Sequence, residues 1–231
     1  MNAQIERKTQ PIELSDQAQS AGNRLFFGGS FDPPHLGHIQ LPLCVSAELE
    51  SSQVIYVPAS RSPLKSNPPV SNHHRVNMLR IGLNRSTGWE IWEQELQDAG
   101  LNPDQPSYWA DTWAIVRGMN LAGTDRFLIG ADQVCSMHRW RRFAEFWKDA
   151  LVVLRDKTDS AKGLISQLQS EGNWSEQDIE HWERQIITAP TIDASSTTIR
   201  AALQSPSSRN HPITGLDPDV QRYIVEHELY K

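Results

Sequence analysis

At 231 residues and 26.1 kDa the chain is long enough to bury a full hydrophobic core in one domain, which excludes a miniprotein dependent on disulfides or a structural metal. A hydrophobic content of 38%, a charged content of 22% and eight tryptophans exclude global disorder. The net charge of −6 supplies no overall positive field for nucleic acid, so any site for phosphates must be built locally.

Residues 1–22 are polar and lack the apolar run of a secretion signal; they read as a disordered N-terminal extension. From residue 23 to 231, short apolar runs alternate with helical patterns. Residues 24–28 and 53–57 read as strands around a helix over about 36–49, a βαβ unit in which Pro42 predicts a kink or a late helix start. A basic, proline-rich loop spans 58–69, and Val76, Leu79 and Leu83 give residues 73–83 a helical period. Strands are expected at 89–92, 126–130, 150–154 and 185–188, and helices at 108–119 and from about 196 and 217. Residues 160–184 read as a polar helical insertion, two helices broken near Gly172 and Asn173.

Strands alternating with helices predict an α/β fold, Rossmann-like and doubly wound, with a mainly parallel sheet, helices on both faces and ligands outside the carboxyl ends of the strands. The longest aliphatic stretch, 150–154, falls far short of the roughly 20 residues of a membrane span. Cys44 and Cys135 lack any paired spacing and read as reduced, buried thiols, which places the chain in the cytoplasm.

The most informative segment is Gly28-Gly29-Ser30-Phe31-Asp32-Pro33-Pro34-His35-Leu36-Gly37-His38. Two glycines end a strand where backbone can approach an anion, and the two prolines lead into a helix. His35 and His38 fall on one face at its positively polarised start, and Gly37 between them leaves room for a flat ligand. Near the other end, Asp193-Ala194-Ser195-Ser196-Thr197-Thr198-Ile199-Arg200 sets hydroxyls, unpaired amides and a guanidinium at a second helix start. Taken separately, the second cluster also fits an ordinary helix cap, and the histidine pair also fits a cap or half of a metal site. No third metal ligand accompanies the histidines, and no metal site is expected.

The first segment resembles the (H/T)xGH signature of the nucleotidylyltransferase superfamily and, in its longer form, the GG(T/S)FDPxHxGH stretch of bacterial nicotinate mononucleotide adenylyltransferases. The second resembles that family's SSTxIR motif. The resemblance implies that His35, His38 and Arg200 are catalytic and that Gly28, Gly29, Ser30, Phe31, Gly37, Ser196 and Thr197 help to hold ATP. Further matches extend it over 24–231. Residues 58–65 are similar to a proline-rich loop ending in a basic residue, Lys65, for a substrate phosphate, and His74 and Arg75 are similar to an (H/E)R pair. Residues 106–112 are similar to PSYTxDTL, the segment beside the pyridine nucleotide, with Tyr108 kept but Trp109 standing where the family has threonine. Gly130 and Asp132 are similar to the (I/L)GxD turn that meets ribose, although an N-cap would also explain the aspartate. Trp140 matches a tryptophan that stacks on the nicotinate ring, and Arg141 beside it adds a cation for a carboxylate.

What the resemblance implies is transfer of AMP from ATP to nicotinate mononucleotide, giving deamido-NAD and pyrophosphate, with Mg²⁺ carried mainly on the ATP phosphates. Because of Trp109, nicotinamide mononucleotide or another small acceptor stays open, as does a non-catalytic nucleotide-binding regulator. The partners expected are ATP and a pyridine mononucleotide, with no nucleic acid or membrane, and a homo-oligomer is possible.

Overall fold

The computed structural model describes residues 10–49, 52–60, 69–101, 106–154, 160–190 and 192–231. In chain order these give α1 (Asp16–Ser20), β1 (Asn23–Gly29), α2 (Leu36–Glu48), β2 (Ser52–Pro58), α3 (Asn72–Leu83), β3 (Trp89–Ile91), α4 (Gln94–Leu101), α5 (Trp109–Gly118) and β4 (Thr124–Gly130). They continue through α6 (Ala131–Ser136), β5 (Ala150–Leu154), α7 (Ala161–Glu171), α8 (Glu176–Gln185), β6 (Ile186–Thr188), α9 (Ser196–Gln204), α10 (Pro206–Arg209) and α11 (Pro218–Glu226). No described helix is long and apolar enough to cross a membrane.

The strands form one parallel sheet in the order β3-β2-β1-β4-β5-β6. Both faces are apolar, as a buried parallel sheet requires. Phe26, Ile55, Val57, Phe127, Ile129 and Val152 face a core shared with α1, α5, α6, α7 and α8. Their strand neighbours Leu25, Val54, Tyr56, Leu128, Leu151 and Val153 face α2 and α3. A third layer, built on Ile199, Leu203, Val220 and Ile224, packs α9 and α11 against Met78 of α3. That layer brings the back of the chain to the front.

The strand order reverses between β1 and β4, so the ligand crevice of such a sheet lies outside their carboxyl ends. The register opens it: β1 pairs with β2 as far as Gly29↔Pro58, but with β4 only as far as Phe26↔Phe127. Phe27, Gly28 and Gly29 therefore run on beside a gap.

Several expectations need correction. Residues 10–22 are not a disordered extension: Leu14 and Ala18 are buried, Ile12 N–H donates to Gln94 Oε1 at 2.7 Å, and the Trp92 indole donates to Ile12 O at 2.9 Å. Residues 1–9 lie outside the described residues. The stretch 160–184 folds as the expected two helices, but α7 and α8 are not wholly polar: they form the crossover from β5 to β6 and bury Leu164, Leu168, Ile179 and Trp182 in the main core. Burying each such aliphatic side chain contributes about 1.5–3 kcal/mol. Pro42 leaves α2 continuous from Leu36; it removes only the donor to the His38 carbonyl. Cys44 and Cys135 are half-buried rather than buried.

Candidate active site

The loop leaving β1 is held through its backbone. Arg75, fully buried, donates to the Ser30 carbonyl at one Nη1, to Ser60 O at 3.5 Å, to Val70 O at 3.2 Å and to Asn72 Oδ1 at 2.5 Å. Arg200 Nη1 donates to Asp32 O at 2.7 Å, and the Ser196 hydroxyl to Pro33 O at 3.0 Å. Leu36 N–H, the first amide of α2, donates to Gly215 O at 2.8 Å. Gly215 sits at φ +79°, where an added Cβ would lie 2.6 Å from Ala194 Cβ, so this close approach requires glycine. Asp32 joins Pro33 through a cis peptide.

His35 is the N-cap of α2 and His38 its third residue, and the two cap each other. His38 N–H donates to His35 Nδ1 at 3.3 Å, and His35 N–H to His38 Nδ1 at 3.4 Å. With Nδ1 accepting in both rings, the neutral imidazole carries its proton on Nε2, the donor that an anion requires. The rings stack 3.7 Å apart at 24°, and the buried Phe31 ring meets His38 edge-on at 5.3 Å. An added Cβ on Gly37 would come within 3.1 Å of the His35 ring. The space at Gly37 is thus used by its own neighbour, not by a ligand alone.

At the α9 end, the N-cap Ser195 makes no side-chain cap, contrary to the ordinary capping alternative. Thr197 Oγ1 accepts from Arg200 Nη2 at 3.3 Å. Arg200 spends one proton of each Nη on these bonds, and a guanidinium carries five. The remaining protons suit an anion.

On the far side of the crevice, Gly130 rather than Asp132 is the N-cap of α6, and Asp132 is exposed in its first turn at the carboxyl end of β4. Trp109 stacks on Trp113 at 5.9 Å and packs on Phe127 at 5.3 Å, and its ring fills the space over Gly28, where an added Cβ would lie 2.8 Å from it. Phe146 links Phe127 to Trp140 at 5.9 and 6.5 Å. The buried indole N–H groups of Trp109 and Trp140 have no hydrogen-bond partner among the described residues. Arg141 lies over the Tyr108 ring at 4.8 Å, whereas Arg142 is paired with Asp111 and Glu145. Lys65 lies outside the described residues.

Two buried groups escaped the sequence reading. Arg75 was visible only as half of a basic pair on a helix start, with no sign of its depth. Glu95, 6% exposed, accepts from the Thr112 hydroxyl at 2.7 Å beneath the segment carrying Tyr108 and Trp109. Its burial pushes its carboxyl up to about 7, against the pull of bonds from Thr112 and Ser107.

The structure thus brings His35, His38, Ser196, Thr197 and Arg200 to one side of a switch-point crevice and Tyr108, Trp109, Asp132, Trp140 and Arg141 to the strands that flank its other side. The cytidylyltransferase-like family matches residues 26–202, well over half of the chain. The chain belongs to that family. Within it, the chain is 30% identical over 208 residues to a protein of Gemmatimonas aurantiaca named "Probable nicotinate-nucleotide adenylyltransferase", covering 89% of this chain and 90% of the relative. A protein of the same name from Idiomarina loihiensis is 28% identical over 215 residues, 90% of this chain and 99% of its own. Among solved structures, Plasmodium falciparum nicotinic acid mononucleotide adenylyltransferase complexed with APC superposes with a TM-score of 0.65, covering 90% of this chain and 97% of that one. At 18% identity this likeness speaks to the fold of the cytidylyltransferase-like chain.

Proposed function

We propose that the chain is a nicotinate-nucleotide adenylyltransferase, transferring AMP from ATP to nicotinate mononucleotide and releasing pyrophosphate. The observation that carries this reading is the direct bonding of Arg200 and Ser196 to the carbonyls of Asp32 and Pro33, which joins both motifs into one anion cradle. The names of the relatives, and the binding of APC and of NaAD by the Plasmodium enzyme, support the choice of substrates.

In this mechanism the 5′-phosphate of the mononucleotide attacks the α-phosphorus of ATP in line, and no side chain forms a covalent bond. Catalysis is positioning and charge stabilisation. His35 and His38 donate from Nε2 to oxygens that gain charge at the α-phosphorus. Arg200, with Ser196, Thr197 and the first amides of α9, holds the β- and γ-phosphates and the departing pyrophosphate. Gly28, Gly29, Ser30 and Phe31 shape the backbone that the triphosphate meets, and Gly130 and Asp132 receive ribose. Tyr108, Trp109, Trp140 and Arg141 receive the pyridine mononucleotide, with Lys65 reaching for phosphate.

The cradle's donors are imidazole, hydroxyl, amide and guanidinium groups, which suit phosphate oxygens better than a cation. A Mg²⁺ would accordingly be held through the ATP itself rather than by these side chains, and would supply neutralisation of phosphate charge. Purified protein supplied with ATP, Mg²⁺ and either the acid or the amide mononucleotide tests the whole reading. Pyrophosphate release with the acid supports it. Release with the amide alone moves the chain to the other acceptor, and none with either removes the activity.

A further inference from the structure

Asp32 lies in the first loop but has no part in the chemistry described above. Its Oδ1 accepts from the Tyr230 hydroxyl at 2.6 Å and from Val70 N–H at 3.3 Å, while its carbonyl accepts from Arg200 Nη1 at 2.7 Å. One loop residue therefore ties together α9, the segment before α3 and the turn after α11.

Tyr230 reaches Asp32 by an unusual route. Glu228 at φ 55° and Tyr230 at φ 57° both adopt the left-handed conformation, and Leu229 N–H closes the turn onto Ile224 O at 3.0 Å. Non-glycine residues hold such angles only where surrounding contacts over-determine them. Phe31, immediately before Asp32, is also left-handed at φ 49°, and its buried ring abuts His38. Fixing Asp32 on both its side chain and its carbonyl thus fixes the ring that backs His38. Burial, and then the Asp32 charge, keep the Tyr230 phenol protonated far above its ordinary range, so it remains a donor.

We propose that Tyr230 is a positioning residue for adenylyl transfer, holding Asp32 so that the loop presents His35 and His38 in register with Arg200. This rests on the reading under "Proposed function". Tyr230 acts through Asp32 and not on the substrate, and the same bond would be idle in a protein that merely stores nucleotide.

Tyr230→Phe keeps the ring and removes only the hydroxyl. The expected result is a kcat lower by roughly tenfold to a hundredfold, as for a small misplacement of reacting groups, with an unchanged KM for the pyridine mononucleotide. Asp32→Asn is expected to lose a similar factor, and the double variant to be no slower than the slower single one, because the two groups form a single link. Parental kcat in Tyr230→Phe overturns the inference, as do losses that multiply in the double variant or a parallel rise of both KM values with lost thermal stability. A parent protein that releases no pyrophosphate overturns the adenylyl-transfer reading and this inference together; an active parent beside an unaffected Tyr230→Phe overturns the inference alone.

Discussion

The carbonyls of Ser30, Asp32 and Pro33 each accept a hydrogen bond from a residue far along the chain, whereas the side chains around Trp109 and Trp140 meet through ring packing and leave two buried indole N–H groups without partners among the described residues. The phosphate side is preorganised for charge by polar bonds that span the whole sequence. The side proposed for the acceptor is an aromatic wall that carries a few polar groups. A triphosphate gains charge during transfer and needs rigid donors, while a pyridine ring needs a flat apolar surface. The difference teaches that turnover should fail first on the phosphate side and selectivity first on the acceptor side.

The sharpest way to break that contrast is His38→Ala. It removes a donor to the developing charge, for which about a hundredfold to a thousandfold loss in turnover is expected, some 2.7–4 kcal/mol. The capping bond to His35 goes with it, at about 1 kcal/mol of stability. Pyrophosphate release measured beside thermal unfolding separates the two losses, and turnover close to the parent would refute the assignment.

Arg75→Met probes the frame instead of the chemistry. It strands buried acceptors on Ser30, Val70 and Asn72, and a loss of about 3 kcal/mol is expected in a denaturant titration. An unchanged midpoint would show that the loop needs no brace.

A comparable effect on the acceptor side depends on pH. Glu95 rises from its ordinary value near 4.5 to about 7 on folding, so the folded protein binds its proton more tightly than the unfolded chain. Stability from this group is complete below about pH 4.5 and declines as pH rises toward 7, by about 3 kcal/mol in all. Glu95→Gln should flatten that slope and raise stability at pH 8; a slope that survives the substitution would place its cause elsewhere.

Arg141→Ala should be the mildest change. Its guanidinium is exposed over Tyr108, so stability should move by less than about 0.5 kcal/mol. KM for the acid mononucleotide should rise roughly tenfold, the worth of a charge-assisted bond, with little change for the amide. Equal rises for both acceptors would remove Arg141 from carboxylate recognition.

Much of the fold was legible because period and punctuation agree: β5 falls at 150–154 as expected, and α7 and α8 break around Gly172, which adopts φ +67°. What escaped was set by tertiary contact. Residues 10–22 lack a strong local pattern, yet Leu14 and Ala18 complete the core beside Trp92. The polar look of 160–184 hid Trp182 and Leu168, because a helix facing the core on one side needs few apolar residues. At the site, the histidine and arginine motifs that the fold brings together were visible in the sequence. Arg75, Glu95 and Tyr230 were not, since burial and partners 17 to 198 residues away leave no trace in local sequence.

A crystal structure with a non-hydrolysable ATP analogue and Mg²⁺ tests the central claim most directly. The account predicts the phosphate chain lying in the gap beyond Gly29, with the α-phosphate at the Nε2 atoms of His35 and His38 and the γ-phosphate at Arg200 and the start of α9. Phosphates bound away from either the imidazoles or the guanidinium would contradict it.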